Sequence, residues 1–112
     1  MSNSLSVVII TKNEENFIED AIKSAQFAEE IILLDSSSTD KTCEIAKKLG
    51  AKVYQQQWLG FGAQKNKAID LASNEWIFVL DSDERIPLDL RTEIIEILIN
   101  PLFDAYHVAR LN

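Results

Sequence analysis

Three short apolar runs in this chain stop abruptly at polar groups. Residues 5–10 stop at Thr11, residues 31–34 at Asp35, and residues 77–80 at Asp81-Ser82-Asp83-Glu84. Runs of four to eight residues rich in Ile, Val, Leu and Phe read as buried strands. The segments between them carry apolar residues at helical spacing, and strand alternating with helix implies a mostly parallel sheet covered by helices. The fold class read from this pattern is α/β, a Rossmann-like sheet with flanking helices, and right-handed crossovers bring the carboxyl ends of its strands to one edge.

The helices are placed by their faces and breakers. Thr11 and Glu14 have capping-box spacing, which predicts a helix starting near Asn13 with Phe17, Ile18, Ala21, Ile22 and Ala25 buried. A second helix presents Thr42, Ile45, Ala46 and Leu49 and ends at Gly50. Residues 51–54 form a short strand, and residues 55–62 a loop broken by Gly60 and Gly62. A third helix carries Phe61, Lys65, Ala68, Ile69 and Ala72. The strand 75–80 follows, and Pro87 opens a fourth helix that turns Leu90, Ile94, Ile97 and Leu98 inward. Residues 105–111 read as a fifth strand, after which the sequence stops at Asn112 without a closing helix, as the front part of a longer protein would.

A chain of 112 residues holds one domain, and a net charge of -7 argues against a nucleic-acid surface. Cys43 is the single cysteine, so no internal disulfide forms, and it reads as a small buried hydrophobe. No run reaches the roughly 18 apolar residues of a membrane span, and the first residues do not have the pattern of a signal peptide.

Chemistry is concentrated at the polar stops. Asp81 and Asp83, two oxygen ligands at a strand end, suit a hard cation such as Mg2+ or Mn2+, which keeps its other positions for water and phosphate. Asp35 offers an acceptor for a base N–H or for ribose hydroxyls, and Lys65 a positive charge for the same anion. Each residue also has a plainer reading. Thr11 is an N-cap, Asp35 begins a Ser-rich turn, and Lys65 is a surface lysine. Glu84 and Arg85 form a solvated turn, Trp58 and Phe61 anchor their loop in the core, and His107 is structural. The joint placement of several weak signals favours the functional set.

In this order and spacing the chain resembles the nucleotide-binding half of family 2 glycosyltransferases, which have the GT-A fold. The resemblance rests on residues 5–15 as the opening strand and turn, and on residues 31–42 as the strand with its Asp-x-Gly-Ser-Thr-Asp turn. It rests also on residues 60–66 as the third segment and residues 78–84 as the Asp-x-Asp strand. It covers residues 5–112 as an incomplete GT-A nucleotide-sugar-binding domain.

The resemblance implies that Thr11, Asn13 and Glu14 lie beside the nucleotide, that Asp35 reads the base, usually uracil, and that Lys65 stands in place of the usual arginine. It implies that Asp81 contacts ribose or metal and that Asp83 binds Mg2+ or Mn2+ at the diphosphate. It further implies inverting transfer from a UDP-linked sugar to a saccharide or lipid-linked acceptor, with the general base beyond Asn112. A cytoplasmic protein, peripheral at the inner face of the membrane, is expected. So are self-association through the terminal strand and no transfer by this chain alone. Ser37 in place of glycine, and Gln64-Lys65-Asn66 in place of Ala-Arg-Asn, are departures; together with the other motifs they resemble the subgroup that adds a hexose to the lipopolysaccharide inner core. A non-catalytic nucleotide-binding module is the competing expectation. The sequence lacks the Gly-x-Gly-x-x-Gly of a dinucleotide oxidoreductase after its first strand.

Overall fold

Strand and helix alternate four times in the computed structural model, which describes residues 4–99. The elements are β1 (Leu5–Thr11), α1 (Ile18–Ser24), β2 (Glu30–Asp35), α2 (Thr42–Lys48), β3 (Lys52–Gln55), α3 (Phe61–Leu71), β4 (Trp76–Asp81) and α4 (Leu88–Ile99). The strands form one parallel sheet in the order β3-β2-β1-β4. The chain winds outward from β1 through β2 to β3, then crosses back through α3 to place β4 on the other side of β1. The point where winding reverses, between β1 and β4, is where open α/β sheets leave a crevice at their carboxyl edge.

Alternation along β1 and β2 feeds two cores. Leu5, Val7 and Ile9 join Ile31, Leu33 and Leu80 against Ile18, Ala21 and Ile22 of α1, Ala46 of α2 and Ile94 of α4. Val8, Ile32 and Leu34 face the other way, onto Ala68 of α3. Burial on both faces explains why these strands read as unbroken apolar runs. Gly50 ends α2 with φ +91, the left-handed value that favours glycine, and its N–H reaches the Lys47 carbonyl.

Three sequence expectations are corrected. Thr11 caps no helix. It stays in β1, Asn13 turns the chain with φ +53, and the Glu14 carbonyl closes a turn onto the amides of Phe17 and Ile18 before α1 begins. Phe17 therefore flanks α1 on its exposed side and does not join the buried face. Gly62 is no loop breaker, since α3 already starts at Phe61. The expected fifth strand, and with it His107 and the edge argument for self-association, lie outside the described residues.

The amino end of the sheet is closed by a buried carboxylate that the sequence reading passed over. Glu30 Oε1 accepts from Ser6 Oγ at 2.8 Å and from the Ser73 amide at 2.8 Å. Its Oε2 accepts from Lys52 Nζ at 2.6 Å and Ser73 Oγ at 3.0 Å. One side chain thus ties β1, β2, β3 and the α3–β4 connection together. Burial alone would raise its pKa, but the Lys52 ammonium and the Ser6 and Ser73 donors outweigh that and lower it to about 2. A carboxyl held below its ordinary value of 4.5 confers stability that is full above that value and drains as pH falls toward 2. Glu30→Gln should cost on the order of 2 kcal/mol near neutrality, allowing for solvent around Lys52. Chemical denaturation across pH should show the gap between the two proteins narrowing below pH 4.5. A gap independent of pH would remove the charge from this account.

Candidate functional site

Strand register brings the polar stops together. Ile10 pairs with Asp81 and Thr11 with Asp35, so residues seventy positions apart end level at the carboxyl edge. The Ser36 amide donates to the Thr11 carbonyl at 3.0 Å, which carries the ladder one step past the strands.

Beyond that step the loops after β1 and β2 are laced to each other. The amides of Asn13, Glu14 and Glu15 donate to Ser38 Oγ, Thr42 Oγ1 and Asp40 Oδ2. In return Asn13 Oδ1 accepts from the Thr39 amide at 2.8 Å and Glu15 Oε2 from the Lys41 amide at 3.1 Å. The fully buried Thr42 hydroxyl in turn donates a hydrogen bond to Asp40 Oδ1. Desolvation pushes the Asp40 carboxyl upward, but the donors from Thr42 and Glu15 win and hold it below its ordinary value. Asn13 and Glu14, expected beside a nucleotide, thus present their amides to the neighbouring loop.

Asp35 is fully buried. Its Oδ2 accepts from the Ser38 amide at 2.8 Å and Gln55 Nε2 at 3.0 Å, and its Oδ1 accepts from Ser38 Oγ. It therefore organises its own turn. Ser37 within that turn has φ +58, the conformation glycine would adopt freely. Cys43 lies alongside, and burial together with the Asp35 carboxylate pushes its thiol up to about 11, which keeps it protonated and unreactive.

Thr11 behaves differently. It is only 6% exposed, yet its Oγ1 has no hydrogen-bond partner among the described residues. A buried hydroxyl left unpaired is costly, and its place beside the β1–β4 crevice suits a ligand atom as the partner.

Across that crevice, carboxylate oxygens of Asp81, Asp83 and Glu84 lie within 4.8 Å of one another. The turn that gathers them is closed by the Glu84 amide donating to the Asp81 carbonyl at 3.0 Å. Glu14 reaches toward the group from the β1 loop, and desolvation followed by the charges of Asp83 and Asp40 raises its pKa. Clustered hard oxygen donors whose mutual repulsion a cation would relieve fit Mg2+ or Mn2+. The sequence reading set Glu84 aside as solvated; here it supplies the third carboxylate.

Lys65 is half-buried in the second turn of α3. Its neighbour Gln64, which the sequence reading noted only as a departure, is fully buried. Gln64 Nε2 donates to Ser36 Oγ at 2.9 Å, and its Oε1 accepts from the Leu59 amide at 3.1 Å. The available signal was its position four residues before Ala68, on the helix face that packs on the sheet. Trp58 and Phe61 do not anchor the loop in the core, since they are 49% and 72% exposed.

The glycosyl transferase family 2 model matches residues 6–111. A glycosyltransferase of Rickettsia bellii is 44% identical over 95% of this chain. The lipopolysaccharide core biosynthesis glycosyltransferase LpsC of Rhizobium meliloti is 33% identical over 84%. The chain spans about a third of these relatives' length, 36% and 37%. Among solved structures, Mycobacterium tuberculosis glucosyl-3-phosphoglycerate synthase, in complex with Mn2+, uridine diphosphate and glucosyl-3-phosphoglycerate, superposes with a TM-score of 0.71 and 29% identity. That match covers 87% of this chain and 40% of the synthase. Staphylococcus aureus TarS gives a TM-score of 0.73 at 27% identity, covering 86% of this chain and 32% of TarS. With a parallel sheet wound as in these GT-A enzymes and a family match over nearly its whole length, the chain belongs to glycosyl transferase family 2.

Proposed function

We propose that this chain forms the donor-binding part of a sugar-nucleotide transferase, taking a uridine diphosphate sugar at the β1–β4 crevice. The observation that carries this reading is the cluster of Asp81, Asp83 and Glu84 at the carboxyl edge of the sheet, the same edge at which the buried Thr11 hydroxyl has no partner among the described residues. Asp83 and Asp81, with Glu84 beside them, would hold Mg2+ or Mn2+. When bound, the cation would neutralise the diphosphate and stabilise the departing nucleoside diphosphate as a Lewis acid. Support comes from the synthase solved with Mn2+ or Mg2+ and uridine diphosphate.

The chain's own residues divide the remaining tasks. Thr11 donates its free hydroxyl proton to the nucleotide. Asp35 sets the Ser-rich turn that walls the base side, and a base N–H would take its Oδ1 in competition with the Ser38 hydroxyl. Asn13 and Glu14 shape the loop along the nucleotide. Lys65, one turn into a helix that starts at the carboxyl edge, contributes positive charge as a point donor. The likeness to LpsC supports an acceptor of the lipopolysaccharide-core kind. No helix among the described residues is long and apolar enough to cross a membrane. Inverting transfer also requires an acceptor hydroxyl held in line and a base to take its proton; no described residue is assigned that role.

Two measurements test this. Calorimetry with uridine diphosphate should show binding that needs Mn2+, and Asp83→Asn should weaken the metal-dependent part about tenfold or more, with little change in melting temperature. Equal binding in chelator would leave a metal-independent nucleotide module. Thr11→Val removes a hydroxyl with no hydrogen-bond partner among the described residues, so folding stability should hold while nucleotide affinity falls by about 0.5–1.5 kcal/mol. Asp35→Ala should lose both, about 1–3 kcal/mol of affinity together with stability, because Ser38 and Gln55 lose their acceptor. Unchanged affinity in Thr11→Val would take the nucleotide away from β1.

A further inference from the structure

The loop from β3 into α3 displays apolar side chains where a loop has no structural reason to. Trp58, Leu59 and Phe61 are 49%, 50% and 72% exposed, and the Trp58 and Phe61 rings meet edge to face at 5.0 Å. The pair stabilises itself and leaves ring surface open to solvent. This display is built. Gly60 takes φ +98, a value that favours glycine, and its carbonyl accepts from the Gln64 amide at 2.8 Å. The buried Gln64 side chain grips the Leu59 amide and the Gln56 carbonyl on one side and Ser36 on the other. Ser36 is the residue after Asp35 and is bonded through its amide to Thr11. A chain of direct hydrogen bonds thus fixes the aromatic pair relative to the crevice, at the same edge of the sheet.

Its chemistry narrows the occupant. Residues 55–64 contain no charged side chain in a sequence that is 26% charged, and four of the ten are glutamine. An anionic headgroup or phosphate would call for Lys or Arg within the loop; the nearest cation, Lys65, lies one turn further into α3 and is assigned above to the nucleotide. A purely apolar partner would have no use for the amides. Flat aromatic faces flanked by neutral amides suit a ligand with C–H faces and a rim of hydroxyls. We propose that Trp58 and Phe61 form a platform for a neutral saccharide, the sugar acceptor if the donor site lies at the β1–β4 crevice as set out above. The rings contact a pyranose face. Exposed Gln57 is within the same loop to exchange hydrogen bonds with its hydroxyls. Large rigid side chains with few torsions give such contacts at low entropic cost.

The test is a titration of the 15N-labelled chain with methyl hexopyranosides and a neutral trisaccharide, read at the Trp58 indole N–H. The Trp58→Phe spectrum identifies that signal against Trp76. A saturable shift with a dissociation constant on the order of millimolar is expected, weakened about tenfold or more in Phe61→Ala. Uridine diphosphate binding with Mn2+ should stay within about twofold in both variants. Silence of the Trp58 signal to every saccharide overturns the platform. So does a shift produced only by phosphatidylcholine or phosphatidylglycerol vesicles, or one that follows protein concentration alone, which would make the patch a membrane or self-association surface. Loss of nucleotide binding in the native chain with the saccharide shift intact would overturn the donor-site reading and leave the platform standing.

Discussion

The reciprocal hydrogen bonds between the loops after β1 and β2 are what the rest of the carboxyl edge depends on. Parallel strands end with their last carbonyls and the next amides unpaired, and such groups must find partners or water. Here the amides of residues 13–15 are taken by side chains of residues 38–42, and amides of the second loop by Asn13 and Glu15. The arrangement converts two exposed loops into one wall. Asp35 holds the wall from beneath, and Gln64 joins it to the β3–α3 loop.

The two ends of the sheet solve the same problem in opposite ways. At the amino end Glu30 gathers four donors, and its oxygens are shared among β1, β3 and the α3–β4 connection. At the carboxyl end Thr11 is buried with no partner among the described residues, and three carboxylates stand close together, while desolvation and then the charges of Asp83 and Asp40 raise the pKa of Glu14. Saturation at one end makes a rigid base. A buried hydroxyl such as that of Thr11, left without a partner among the described residues, is the usual mark of a place that a ligand completes.

The sequence exposed what periodicity and strand ends encode. The four strands, both faces of the core and the convergence of Thr11, Asp35 and Asp81 followed from apolar runs and their polar stops, because parallel winding brings those stops to one edge. It hid what depends on a single torsion or a long-range side chain. The capping-box spacing of Thr11 and Glu14 was misleading because Asn13 turns through a left-handed conformation. Glu30 looked like a charge at a strand start, since nothing local announces that Ser73 and Lys52 will reach it. Gln64 and Glu84 were passed over because a polar residue beside a motif gives no sign of which way it points. The register that brings Glu84 to Asp81 is set by one turn hydrogen bond.

The sheet order has a consequence for the order of events when the chain is made. β1 lies in the middle of the sheet, but its two neighbours are unequal in timing. β2 follows it within about thirty residues, whereas β4, which pairs Phe78 with Val7, comes last among the described strands. At roughly 5–20 residues per second, the interval between completing β2 and starting β4 is on the order of two to eight seconds of synthesis. For that time one edge of the most apolar strand lacks its partner strand, and closure of so distant a pairing is slow by the entropy of its loop. Among the described strands, the crevice between β1 and β4 is thus the seam that closes last.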